Sequence, residues 1–158
     1  MVNKKGVIEI EKGILSYISD RNVSRFAFFK TKSFQIKIED LKIIGIYRSL
    51  FLDDELDMLV FIDKNGNKNY IPINYDLESS SFLILMDRFY LNPNLIQNSE
   101  IEDYTKQKSI ILYPKELEGS RLYKKSNIFM SILKMLRIKP IADGNFTDTI
   151  NSYLQGKD

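Results

Sequence analysis

The chain has 158 residues, 44% of them hydrophobic and 12% aromatic, and a formal net charge of only +2. That length fits one domain, or one small domain with a structured extension, and the apolar content argues against intrinsic disorder. There is no Cys and no His, which excludes disulfides, thiolate nucleophiles, Cys-based zinc sites, Ser-His-Asp triads and imidazole metal ligands.

Taken in order, the first half predicts a succession of strands. Residues 7–11 alternate around Ile8 and Ile10, and 14–18 continue in extended character. Residues 21–24 form a turn or loop, and 26–30 an aromatic-rich strand. Phe34, Ile36 and Ile38 alternate with Gln35, Lys37 and Glu39, the pattern of a half-buried strand. Glu39 and Asp40 mark a corner, after which 41–48 resume the strand pattern.

An apolar run at 58–62 and a second strand at 69–73 flank Asp63-Lys64-Asn65-Gly66. This predicts a hairpin, because Asn and Gly tolerate the positive φ that such turns demand. Ser79, Ser80 and Ser81 then offer capping side chains to a helix whose apolar stripe is Phe82, Leu85, Met86 and Phe89. Asn92-Pro93-Asn94 ends it. Beyond lie a strand at 109–113 stopped by Pro114, a helix at 127–138 ended by Pro140, and a short last helix with Ile150, Tyr153 and Leu154.

The charge is unevenly spread. Residues 1–48 hold ten basic and five acidic side chains. Asp53, Asp54, Glu55 and Asp57 form an acidic run with no compensating base nearby, read as a surface loop. Residues 121–140 hold Arg121, Lys124, Lys125, Lys134, Arg137 and Lys139 without an acid. Both runs read first as solvated faces and second as patches that steer a partner.

No motif names a substrate. The acidic run could hold a hard cation through carboxylate oxygens, but the strand that would complete a nuclease site reads Tyr70-Ile71-Pro72-Ile73 and supplies no ligand. Asp63-x-Asn65-Gly66-Asn67 echoes a calcium loop but is one residue short before its Gly, and reads as a plain turn. The glycines are scattered, with no phosphate cradle. Glu9 and Glu11 share one strand face and read as solvent-facing rather than as a glycosidic pair. Neither a metal nor another cofactor is expected, and no basic stripe interleaves with aromatics as single-stranded nucleic-acid binding requires.

The alternating strand at 34–38, the Ile38-Glu39-Asp40-Leu41 corner, the 58–73 hairpin with its Asn65-Gly66 turn and the closing helix at 82–90 together resemble the bacterial pleckstrin-homology-like domain. The resemblance covers about residues 6–91. It implies an antiparallel bent barrel plugged by its helix, used as a scaffold for binding proteins, lipids or peptides. In lipid-binding members, basic residues near the first strand–strand loop hold the head group. The matching positions here are Arg21, Arg25, Lys30 and Lys32, with Asp20 among them.

The expectation is therefore an α+β chain: a barrel over 6–91 closed by a helix, and a mostly helical extension over 92–158. Its expected role is that of a non-catalytic, cytoplasmic binding module that recognises a protein through charged and apolar patches. The alternative is attachment to anionic membranes through the basic 121–139 region. No stretch approaches the ~20 apolar residues that a membrane-spanning helix needs, and the N-terminus lacks an apolar signal segment.

Overall fold

The computed structural model describes residues 6–19, 32–51, 54–73, 77–97, 108–125 and 144–156; for 49–51, 54–56 and 97 it describes the backbone alone. Strand β1 (Val7–Glu11) turns through Lys12 and Gly13 into β2 (Ile14–Ile18), and both turn residues have positive φ, 49° and 77°. Such a two-residue turn follows the natural twist of a hairpin. β2 pairs in turn with β3 (Phe34–Lys37), giving a three-stranded antiparallel sheet in the order β1-β2-β3.

A 3-10 turn at Ile38–Asp40 then redirects the chain. It is tied to the first hairpin by Ile38 N–H donating to the Gly13 carbonyl at 2.8 Å. Beyond it run β4 (Leu41–Phe51), β5 (Asp54–Asp63) and β6 (Lys68–Pro72). In the β5–β6 turn Asp63 Oδ1 accepts from the backbone of Asn65 and Asn67 while Oδ2 accepts from the Asn67 amide. Both carboxylate oxygens are thus engaged inside the turn. Lys64 pairs with Asp40 at 2.6 Å, which holds the turn against the corner and raises the lysine's pKa above its usual value.

Helix α1 (Ser79–Phe89) follows, then the short α2 (Pro93–Gln97), strand β7 (Lys108–Tyr113) and, near the C-terminus, α3 (Asp148–Leu154). β7 pairs antiparallel with β4, so the second sheet has the order β6-β5-β4-β7. β7 lies beyond residue 92, in the expected extension, and pairs with a strand of the expected 6–91 unit. No closed barrel is formed among the described residues. β3 and β4 share no ladder across the corner, and the two sheets remain open.

Alternation sorts β4 and β5 between two cores. Ile44, Ile46, Leu59 and Phe61 face a core completed by Ile8, Leu15, Tyr17 and Ile36 of the first sheet and by Leu85 and Phe89 of α1. Ile43, Tyr47, Met58, Val60 and Ile62 face the opposite way, under Leu122, Tyr123 and Ile150. The four-stranded sheet is therefore covered on both sides, which explains the unbroken apolar run at 58–62.

The expected apolar stripe of α1 points inward, with Leu85 and Phe89 buried and Phe82 and Met86 partly so. The serines act differently from expectation. Glu78 occupies the N-cap with no side-chain cap bond. Ser81 is fully buried, and its Oγ accepts from Ile8 N–H of the edge strand β1 at 2.8 Å. Ser109 does the same on β7, its Oγ accepting from Tyr123 N–H at 3.1 Å. Two buried hydroxyls thus satisfy backbone donors that the ladders leave over.

Candidate docking surface on the outer face of helix α1

Only some of the residues expected to form charged patches lie among the described ones. Asp54–Asp63 is strand rather than loop. Asp57 is buried and sits directly opposite Arg48, with Arg48 Nε 3.0 Å from its Oδ1. The compensating base that the local sequence lacks arrives across the ladder, which removes Asp57 from any surface patch. Asp54 and Glu55 lie on the backbone of the same strand, and Asp53 lies outside the described residues.

Of the basic candidates, Lys32, Arg121, Lys124 and Lys125 are exposed. Lys124 is engaged by Asp148 of α3 at 2.6 Å. Arg21, Arg25, Lys30, Lys134, Arg137 and Lys139 lie outside the described residues, as do the strand expected at 26–30 and the helix expected at 127–138. Glu9 and Glu11 are exposed on the outer face of the first sheet. Among the described residues, no group of three or more acidic side chains is placed to hold a metal ion. No helix among them is long and apolar enough to cross a membrane.

Another unusual feature is a locked one. Lys68 Nζ lies 4.5 Å from the Phe146 ring centre and 5.3 Å from that of Tyr123, and donates to the Gly144 carbonyl at 2.8 Å. Tyr123 and Phe146 stack at 5.8 Å. A Cβ on Gly144 would come within 2.8 Å of Tyr123 Cγ, so only glycine lets the chain pass that close. This cluster clamps the C-terminal segment onto β6.

Among the described residues, the largest group of exposed apolar side chains on one element lies on α1 and just past its end. At 100° per residue, the side turned away from the core carries Leu83, Ile84, Asp87, Arg88 and, just past the helix end, Tyr90. Leu83 is 62% exposed, Ile84 42% and Tyr90 86%. Single exposed apolar residues are ordinary, but two on one side of an eleven-residue helix with a third just past its end are a patch.

Tyr90 adds a second signal. It ends the helix in the left-handed region, φ 51° and ψ 43°. Its own N–H and that of Leu91 both donate to the Met86 carbonyl. Glycine is the usual residue there, and a bulky side chain costs about 1 kcal/mol.

No family model matches the chain, and no curated protein or solved structure is similar enough to count as a match. The site therefore rests on its own chemistry.

Sequence reasoning passed over this face. The signal was present nonetheless. Once Phe82, Leu85, Met86 and Phe89 are assigned to the core stripe, Leu83, Ile84 and Tyr90 are apolar residues left on the wrong side of the wheel.

Proposed function

We propose that this chain is a protein-binding module that docks a partner on the outer face of α1. The observation that carries this reading is Tyr90, a large aromatic held 86% exposed in a backbone conformation that favours glycine. Tyrosine supplies much contact area for little side-chain entropy and is enriched among residues that dominate interfaces. Leu83 and Ile84 supply apolar area beside it, worth roughly 1.5–3 kcal/mol for each side chain fully buried. Asp87 and Arg88 provide charges that fix orientation.

The finer fold reading, a pleckstrin-homology-like unit, draws its support from the order of the elements: a run of antiparallel strands followed by α1. The test of the docking reading is a tagged pull-down at low and moderate salt, comparing the native chain with Leu83→Asp and Tyr90→Ala. A stoichiometric protein retained by the native chain and lost by both variants is the expected result. Equal retention by all three would remove α1 from the interaction.

A second reading, attachment to anionic membranes, draws support from the adjacent exposed bases Arg121, Lys124 and Lys125. The Asp148 carboxylate 2.6 Å from Lys124 Nζ offsets one of these charges. Sedimentation with vesicles containing phosphatidylserine, at rising salt, separates the readings. Vesicle binding that falls with salt and with replacement of these bases by Gln would favour the membrane.

A further inference from the structure

We infer that Asn65 is a site of spontaneous covalent modification, where the side-chain amide is lost as ammonia through attack by the Gly66 backbone nitrogen. Asn65-Gly66 is the one Asn-Gly pair in the chain. Both residues stand in the turn between β5 and β6, with Asn65 exposed. The Asn67 amide is engaged there by Asp63, whereas among the described residues no hydrogen bond holds the Asn65 amide.

The reaction consumes only water. The Gly66 nitrogen bonds to Asn65 Cγ and gives up its proton, the Cγ–Nδ2 bond breaks, and ammonia leaves. A cyclic imide spanning both residues remains, and water opens it at either carbonyl. One opening leaves an aspartate at position 65. The other leaves an iso-aspartyl link, in which the main chain runs through Cγ and is longer by a methylene. No oxidant or reductant takes part. Glycine matters because a side chain on the attacking residue would crowd its approach and restrict its backbone. A Cβ built at Gly66 meets nothing within 4 Å, so no neighbour closes off that side of the turn.

The turn itself restrains the reaction. Gly66 N–H donates to the Asp63 carbonyl at 2.9 Å, and Asp63 Oδ1 accepts from Asn65 N–H at 2.8 Å. The attacking nitrogen is released when this turn opens, which an exposed loop does locally while the sheet stays folded. Modification therefore accumulates with the age of the molecule, at a rate that Asp63 sets. Its product acts on the same contacts. A carboxylate at position 65 competes with Asp40 for Lys64, and the iso-aspartyl link spaces the Asn65 and Gly66 N–H groups further apart. The 2.6 Å tie between Lys64 and Asp40 weakens, and with it the hold of the turn on the corner.

The experiment incubates the whole chain at mildly acid and mildly alkaline pH and follows each Asn by peptide mapping with mass spectrometry. Asn67 and Asn69, followed by Lys68 and Tyr70, are internal controls in the same hairpin. The expected result is conversion of Asn65 several-fold faster than of either control. Conversion is faster still at the higher pH, where more of the Gly66 nitrogen is deprotonated, and the product takes label from an isoaspartyl-specific methyltransferase. Asp63→Ala removes the side-chain acceptors that close the turn and speeds conversion several-fold. Circular dichroism confirms that the variant keeps its fold.

Conversion of Asn65 no faster than that of Asn67 and Asn69 overturns the inference. That comparison uses the native chain alone, so it holds even where a variant fails to fold. A folded Asp63→Ala variant that converts at the native rate overturns the control by the turn. The docking reading of α1 is independent of these outcomes.

Discussion

Arg48 and Asp57 stand opposite each other on β4 and β5, with Nε and Oδ1 3.0 Å apart and their side chains 10% and 9% exposed. They lie on the same face of the sheet as Ile46 and Leu59, at the end of that apolar row. Each charge offsets the other in that buried position. Asp57→Ala would leave the guanidinium buried without its counter-charge and lower stability by about 3–5 kcal/mol. Replacing both with apolar residues, Arg48→Met with Asp57→Leu, recovers most of that loss. Urea denaturation of the three proteins checks the order, and a double variant as unstable as Asp57→Ala would contradict it.

Ser81 and Ser109 are each expected to behave as structural acceptors. Ser81→Ala strands the Ile8 N–H in the core, and Ser109→Ala does the same to Tyr123 N–H. Each should cost about 1–3 kcal/mol, more than a surface serine. Hydrogen exchange provides the residue-level check, with faster exchange at Ile8 in the first variant and at Tyr123 in the second.

The clamp on the C-terminal segment predicts a graded pair. Lys68→Met keeps the aliphatic stem but loses the cation over two rings and the bond to Gly144, a loss of roughly 1–2 kcal/mol. Gly144→Ala drives a methyl into Tyr123 and should be the more damaging. Thermal melts should fall by about 2–4 °C for each kcal/mol lost in a chain of this size. Exchange within residues 144–156 should rise in both.

Tyr90→Gly separates stability from association. Removing the side chain from a left-handed cap should raise stability by about 1 kcal/mol. The same change removes an anchor of the α1 surface and should weaken partner capture. A variant that binds as well as the native chain would show that the exposed ring contributes nothing there.

Much of this architecture was legible from local pattern. Alternation at 34–38 and the Asn65-Gly66 turn read correctly because both depend on neighbours in sequence. The Lys12-Gly13 turn was less legible, since Lys rarely adopts the positive φ that Asn or Asp tolerates. The pairing of β7 with β4 and of Arg48 with Asp57 lies in registers between strands, which periodicity does not encode. Asp57 consequently looked like surface charge. The exposed apolar face of α1 was readable in principle, as the apolar remainder after the core stripe had been assigned.

The position of β7 also governs the order in which the chain can assemble. β4 gains its first neighbour, β5, almost at once, but its second arrives about sixty residues later. During synthesis on the ribosome, β4 must wait with a bare edge in a strongly apolar strand, open to pairing with the wrong chain. A product terminated after Leu91 would keep that edge permanently and would aggregate rather than behave as a smaller domain.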